Sequence, residues 1–215
     1  MKTNSAPKPD SKPLTLRMPK QTRSREALER TYAATNVLLL DRPFDQISVA
    51  EIAATANVSV GSIYQRFSSK NDLLWTIYSH YLDEAEKKTQ ILSRTSVAQS
   101  IEEKTAALIT VVCDIFRAHK GIVRSLMLKY RSMPQEIPDY YQDQINAVYS
   151  TFDKYLRTTG ATMKRAIACR SLILAACREH ILFDAFTAVP RLNSDKAFVQ
   201  MLTPAALAVL HTQKD

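Results

Sequence analysis

The stretch that decides the fold reads SVAEIAATANVSVGSIYQRF and runs from residue 48 to residue 67. It opens with the S-x-x-E form of a capping box, in which a serine hydroxyl and a glutamate carboxylate satisfy backbone amides at the start of a helix. Asn57 tolerates the left-handed backbone of a tight turn, and Ser59 is suited to cap a second helix. The pattern therefore predicts a helix-turn-helix whose first helix runs from Ser48 to about Thr55.

The apolar residues of this stretch indicate which face of the second helix is buried. Ile63 and Phe67 are four residues apart, so they share one helix face, which we expect to point inward. The residues of the opposite face are Val60, Gly61, Tyr64 and Gln65. A short helix with such a face can enter the major groove of B-DNA, where Gln65 can read a base and Tyr64 can reach a phosphate.

Residues 25–74 resemble the DNA-binding domain of TetR-family transcriptional regulators. The matching residues are the Ser48–Ala53 box, Val58, Ser59, Gly61, Ser62, Ile63, Tyr64, Phe67, Ser69, Lys70, Leu73 and Leu74. The resemblance implies that the DNA-binding residues are Ser48, Ser59, Val60, Gly61, Ser62, Tyr64, Gln65 and Lys70, with Ser48, Tyr64 and Lys70 on phosphates. Val60 and Gln65 replace the lysine and the aromatic or histidine that the family often has there, so the operator sequence stays open.

Positive charge is concentrated at the N-terminus. The formal net charge is +8, and residues 1–30 hold eight basic residues against three acidic ones. Residues 1–20 also contain four prolines and little to bury, which predicts a disordered basic arm. We expect Lys20, Arg23 and Arg25, just before the first helix, to contact the DNA backbone or an adjacent minor groove. A solvated tail that only aids solubility is the alternative.

Composition narrows the class of protein. A chain of 215 residues with only 3 glycines has little material for phosphate-binding loops, and the commonest enzyme motifs are missing from its sequence. Cys113, Cys169 and Cys177 lie in apolar surroundings and are interpreted as reduced core residues. The sequence indicates neither a metal site nor a cofactor. It contains no long apolar run or signal peptide, which predicts a cytoplasmic, nucleoid-associated protein without membrane contact.

Helical periodicity predicts an all-α fold of about nine helices. Pro43 ends the first helix near Asp41, and Gly160 ends another. Capping boxes are predicted at residues 48–51 and 96–99, with a looser cap at 69–72. Pro204 is expected to kink the final helix or restart it, with Thr203 as the new cap. The remaining helices are predicted over residues 22–41, 70–92, 97–119, 122–131, 140–159, 163–188 and 194–211.

We expect a helix-turn-helix domain at residues 21–70 and a ligand-binding and dimerisation domain at residues 71–215. One short recognition helix reads only a few base pairs, so useful affinity requires a homodimer and a palindromic operator. The resemblance implies that the last two helices form the dimer interface; completion of the monomer core is the alternative. The residues suited to that contact are Ala166, Ala168, Leu172, Ile173, Leu174, Ala175 and Ala176.

The resemblance implies that the middle helices hold a pocket for a small-molecule effector. The candidate lining residues are Trp75, Tyr78, Tyr81, Phe116, Met127, Tyr130, Tyr141, Tyr149, Arg178 and Phe183, with His80, His119 and His180 as further polar anchors. Aromatic residues favour a flat or cationic ligand, whereas Arg178 would suit an anion.

The resemblance implies a repressor that its ligand releases from the operator. One alternative is a DNA-organising protein of the same build that is controlled by a protein partner. Another is a small all-α enzyme that uses His119, Glu179 and His180 as acid and base.

Overall fold

A computed structural model describes residues 22–95, 98–132, 138–183 and 194–211; the predicted arm at 1–20, with Lys20, lies outside these ranges. The described part of the chain is all-α, as predicted, with nine α-helices and one 3-10 helix over Phe44–Gln46. The helices are α1 (Thr22–Asp41), α2 (Val49–Ala56), α3 (Val60–Tyr64), α4 (Lys70–Thr95), α5 (Ile101–Ala118), α6 (Lys120–Ser132), α7 (Asp139–Arg157), α8 (Met163–Leu182) and α9 (Asp195–His211).

Helices α1 to α3 and the first turns of α4 enclose one end of the core. Leu28 and Tyr32 of α1 are buried in the same apolar cluster as Ile52 of α2 and Ile63 of α3. The Arg30 Nε–H donates a hydrogen bond to the carbonyl oxygen of Ala56 at 3.1 Å and so ties α1 to the end of α2. The short helices α2 and α3 are therefore held in place against α1 and the start of α4.

Helices α4 to α9 form the larger bundle, in which α4 packs on α7 and α5 packs on α8 and α9. Its largest fully buried side chains include Tyr141, Tyr155 and Phe198. The three cysteines are unoxidised and buried, as expected, and the sulfurs of Cys113 and Cys177 lie 3.7 Å apart between α5 and α8. No described helix combines the length and the apolar character needed to cross a membrane.

The predicted helix start at Ser96 is wrong. Helix α4 continues to Thr95, and the capping box that starts α5 is formed by Ser100 and Glu103. The backbone N–H of Ser100 donates to the Glu103 carboxylate at 2.7 Å. Both segments fit the S-x-x-E/Q pattern, and the one with the charged acceptor forms the cap, because a carboxylate accepts a stronger hydrogen bond than the Gln99 amide.

Two predictions for the C-terminal helices are also wrong. Helix α8 ends at Leu182, because Phe183 leaves the helical conformation, and the rest of the predicted segment, 184–188, lies outside the described residues. Of the two outcomes expected at Pro204, a kink or a restart, the restart is wrong: helix α9 is continuous through Pro204 and Thr203 lies inside it, with its hydroxyl donating to the carbonyl of Val199 at 2.7 Å. The local penalty of the proline is outweighed because buried side chains on both sides of it hold one continuous helix against the bundle.

Candidate DNA-binding surface and effector cavity

The start of α2 is fixed by the predicted capping box. The Ser48 backbone N–H donates to the Glu51 carboxylate at 2.7 Å, and the Ser48 hydroxyl accepts from the Glu51 backbone N–H at 3.1 Å. Arg42 adds a 2.9 Å ion pair to the same carboxylate. The hydrogen bonds from Ser48, followed by that from Arg42, lower the pKa of Glu51 to about 2.

The turn between α2 and α3 has the predicted chemistry. Asn57 adopts the left-handed conformation with φ 52° and ψ 53°. The Ser59 hydroxyl accepts a hydrogen bond from the backbone N–H of Ser62 at 3.1 Å, so α3 begins at Val60. The helix-turn-helix prediction is therefore confirmed.

One face of α3 is buried and the opposite face is exposed, as the sequence indicated. Ile63 is only 2% exposed, whereas Val60 is 38% and Tyr64 is 52% exposed. Gly61 and Gln65 are exposed as well, and Gln65 is the C-cap of this five-residue helix. Of the other predicted contacts, Ser48 and Ser59 are exposed and Ser62 is half-buried. The exposed face is confirmed, while contacts of its residues with DNA stay a prediction.

Gly61 has room for a side chain. A Cβ atom at this position would have only the Ser59 hydroxyl oxygen within reach, at 3.9 Å. Its backbone does not take the positive φ that favours glycine, in contrast to Gly160. The fold therefore does not require glycine at position 61.

Lys70 stands at the start of α4 with two contacts that position it. Its Nζ donates to the carbonyl oxygen of Asp45 at 3.3 Å and lies 4.7 Å from the centre of the Phe44 ring. The side chain stays half-exposed on the surface that carries Ser48. Arg25 is exposed on α1, whereas the side chain of Arg23 lies outside the described residues.

An apolar cavity of about 50 Å³ lies among α4, α5, α6, α7 and α8. Five of the predicted lining residues reach it, namely Tyr81, Phe116, Met127, Tyr149 and Arg178. Ten further residues complete the wall: Leu82, Ala85, Val112, Ile115, Val123, Leu126, Ile145, Val148, Phe152 and Leu174.

The other five candidates lie outside this cavity. Trp75, Tyr78 and Tyr141 form an aromatic cluster between α4 and α7, with ring centres 5.3 to 6.0 Å apart. The Tyr78 hydroxyl is 2.9 Å from the Ser125 hydroxyl. Tyr130 is exposed on α6, and Phe183 lies 6.0 Å from the Arg124 guanidinium. Aromatic residues in a helix satisfy core packing and ligand contact equally well, so the sequence could not separate the two groups.

The three candidate histidines have carboxylate partners instead of facing the cavity. His119 Nε2 lies 3.0 Å from Glu84, and burial, opposed by that carboxylate, lowers the pKa of His119. His180 lies 3.2 Å from Asp195 and stacks on the Phe198 ring. His80 is 3.7 Å from Glu29. Each pair joins two helices, which is a structural role, and His119 and His180 use different carboxylates.

The sequence reading missed the junction between α1 and α6. The Asn36 side-chain amide donates to the carbonyl of Ala118 at 2.9 Å and accepts from the backbone N–H of Ile122 at 3.1 Å. At Gly121 a Cβ atom would lie 2.1 Å from the carbonyl oxygen of Asn36. The absence of a side chain at Gly121 lets α6 pack directly on α1. A lone glycine in a glycine-poor chain was the available signal.

Some of the residues predicted for the dimer interface lie on the buried face of α8, and others lie on its exposed face. Ala166, Ile173 and Leu174 are buried in the protomer, so their assignment to the interface is wrong and they complete the monomer core. Ala168 and Ala175 are exposed, and Leu172 and Ala176 are half-buried. The exposed apolar or small residues around them are Met163 and Ile167 of α8 and Met201, Pro204, Ala205 and Ala208 of α9.

Comparisons with known proteins agree with this geometry. Residues 32–75 match the family described as bacterial regulatory proteins, tetR family. The transcriptional regulator EthR of Mycobacterium tuberculosis is 30% identical over 93 residues, a match that spans 43% of this chain and 43% of EthR.

Solved structures extend the similarity to most of the chain. The TetR transcriptional regulator from Legionella pneumophila has a TM-score of 0.65 at 17% identity, over 90% of this chain and 100% of that one. FadR from Bacillus subtilis, solved with stearoyl-CoA, has a TM-score of 0.63 at 16% identity, over 86% of this chain and 99% of that one. The family match covers the helix-turn-helix, and the shared fold continues into the larger bundle. The family match is thus to the helix-turn-helix segment, residues 32–75, and the larger bundle is similar to solved TetR-family regulators in fold alone.

Proposed function

We propose that this chain is a homodimeric transcriptional repressor that binds a palindromic operator in double-stranded DNA and releases it when a small molecule enters the cavity. It would work on chromosomal DNA in the cytoplasm. The observation that carries the proposal is the exposed face of α3. The capped starts of α2 and α3 fix the position of this helix on the protein. A rigid, protruding short helix of this kind suits the major groove.

On the DNA side, base contacts are assigned to the outer face of α3. Gln65 can form hydrogen bonds with a base edge, and Val60 can contact a thymine methyl group. Phosphate contacts are assigned to Ser48, Tyr64 and Lys70, since hydroxyl groups and an ammonium group donate well to phosphate oxygens. Lys20, Arg23 and Arg25 would add charge along the backbone or in an adjacent minor groove.

The exposed apolar face of α8 and α9 supports the homodimer. Small residues such as Ala168, Ala175 and Ala205 allow helices of a second protomer to approach closely. Met163, Ile167 and Met201 would lose their contact with water in that interface. A dimer built this way would present two α3 helices related by a dyad, which matches a palindromic site.

Two helices connect the cavity with the DNA-binding end. Helix α4 carries Lys70 at its start and Tyr81 in the cavity wall, about 16 Å further along the helix axis. Helix α6 lines the cavity with Val123 and packs on α1 at Gly121. An effector that enlarges the cavity would move one or both helices, and its differential affinity for the two arrangements would shift the dimer away from the DNA-competent state. Stearoyl-CoA bound to FadR is a precedent for a small-molecule ligand in this fold.

The direct test is a fluorescence-anisotropy titration of the purified chain with DNA from upstream of its own coding region, against a scrambled duplex, at two salt concentrations. We expect tight binding to the upstream duplex that saturates at an even number of protomers per site. Equal affinity for both duplexes with a steep salt dependence would reject the sequence-specific repressor and favour a DNA-organising protein controlled by a protein partner.

A further inference from the structure

Arg178 is the one charged side chain among the described residues that line the cavity. Its Nε atom is buried and has no hydrogen-bond partner. The side chain as a whole is half-buried, and a buried guanidinium nitrogen without a partner destabilises the fold, because it has lost hydration without gaining a hydrogen bond. An arginine at position 178 therefore lowers the stability of the fold, and packing against the cavity wall does not explain why an arginine is there.

A neighbouring arginine shows the contrast. Arg170, two turns earlier on α8, donates to the Asp153 carboxylate at 2.7 Å and lies over the Tyr149 ring at 4.4 Å. The described residues thus provide Arg170 with a carboxylate and provide Arg178 with none. None of the described residues that line the cavity is acidic, so they offer nothing to balance a cationic ligand.

The remaining wall is hydrocarbon with a few polar atoms. Val112, Phe152 and Leu174 belong to its apolar part, and Tyr81 and Tyr149 add phenol groups. Burial raises the pKa of Tyr81, and the positive charge of Arg178 opposes that rise, which places the guanidinium within electrostatic range of this hydroxyl. Apolar surface surrounding one unpaired cation is complementary to an amphiphile with an anionic head.

We propose that the effector is an apolar carboxylate whose carboxylate pairs with Arg178 and whose hydrocarbon part packs against the apolar wall. The inference rests on the proposed function in one respect, the use of this cavity as the effector site. Because the free volume is only about 50 Å³, such a ligand has to push the surrounding helices apart as it enters. The positive charge of Arg178 selects ligands with an anionic head. The displacement of the surrounding helices transmits ligand binding to the DNA-binding end.

The test uses three ligands of equal length and different charge, with the full chain and isothermal titration calorimetry. Octanoate is expected to bind at least about 10-fold more tightly than 1-octanol, and octylammonium is expected to bind more weakly than either. Arg178→Met should weaken octanoate binding by at least about 30-fold and change 1-octanol binding by less than about 3-fold. Arg157→Met, which removes an exposed arginine of α7, is the matched control and should change neither.

A second measurement separates a ligand role from a structural one. Removal of a half-buried charge that has no carboxylate partner among the described residues should leave the melting temperature of the free protein unchanged or raise it. Arg178→Lys keeps the charge and should keep the preference for octanoate over 1-octanol, even if Arg178→Met does not fold. Absence of octanoate binding, equal affinity for octanoate and 1-octanol, or full octanoate binding by Arg178→Met would overturn the proposal.

Operator binding is measured in parallel, so that the two proposals can fail separately. If octanoate binds through Arg178 without weakening operator binding, the carboxylate site stands and the effector role fails. If the chain binds its operator selectively and no carboxylate binds, the repressor stands and the carboxylate proposal is wrong.

Discussion

The outer face of α3 is where single residues carry the function. Because a Cβ atom at position 61 has open space in the protein, Gly61→Ala should leave the free energy of unfolding unchanged or raise it by up to about 1 kcal/mol through helix propensity. The added methyl group would stand on the face assigned to DNA, so operator affinity should fall. Urea unfolding and anisotropy measure the two effects. Unchanged operator affinity would show that this backbone does not approach the duplex.

Gln65 and Lys70 should contribute differently to DNA binding, Gln65 to sequence preference and Lys70 to affinity for any duplex. Gln65→Ala should change the preference among operator variants by about 1 to 3 kcal/mol, because it removes a base contact. Lys70→Ala should weaken binding to all duplexes similarly and reduce the salt slope by about one phosphate contact. Competition titrations over a set of operator variants distinguish the two patterns. If Gln65→Ala leaves the preference intact, the reading face has been assigned to the wrong residues.

The assignment of the outer face of α3 could be predicted from sequence because its signals are local. Spacing alone placed Ile63 inside and Tyr64 outside, and the turn needed Asn57 in the left-handed region. The cavity residues were only partly predictable: Tyr81 faces the cavity and Tyr78 does not, although both are buried aromatic residues of α4. Which core aromatic borders a void depends on the packing of neighbouring helices, which periodicity does not encode.

Between elements, α6 packs closely on α1 at Gly121. Gly121→Ala would place a methyl group against the Asn36 carbonyl, so α6 must shift, and we expect a loss of about 1 to 3 kcal/mol in the free energy of unfolding. Gly61→Ala is the matched control, since it makes the same substitution where space is open. Urea unfolding of the two variants should give opposite signs or a clear difference. Equal stability would mean that the junction is looser than this contact indicates.

The cap of α2 should show a specific pH dependence. The folded-state pKa of Glu51 is about 2, below its ordinary 4.5, so the stabilisation from this carboxylate is complete above pH 4.5 and is lost as the pH falls toward 2. Glu51→Gln should therefore lower the melting temperature at neutral pH. The difference from wild type should shrink as the pH is lowered from about 5 to about 3. A difference that does not depend on pH would exclude the carboxylate as its source.

At the scale of elements, some helix ends were predicted correctly from the sequence and others were not. The caps at Ser48, Ser59 and Ser69 were predicted correctly, because each side chain bonds a backbone N–H three residues ahead. The start of α5 was misplaced because two serine boxes lie within one turn of each other. The sequence left a kink and a restart open at Pro204, and the restart is wrong, since tertiary packing overrides a local breaker.

For the whole molecule, the exposed face of α8 and α9 should hold the dimer together. Ala168→Glu combined with Met201→Glu would place charges in that interface and should shift the protein to monomers in sedimentation velocity. Operator affinity should fall with it, because two half-sites are no longer bound together. Ile91→Glu is the control, since Ile91 is an apolar residue of α4 that is 59% exposed. A double variant that stays dimeric would place the interface elsewhere.

The central claim, a dimer that reads two half-sites through α3, is tested most directly by hydroxyl-radical footprinting of the upstream DNA with wild type and with Gln65→Ala. We predict two protected patches related by a dyad, with centres about 34 Å or a multiple of it apart along the duplex. We also predict that Gln65→Ala weakens both patches equally. A single protected patch, or uniform protection that Gln65→Ala does not change, would contradict the account.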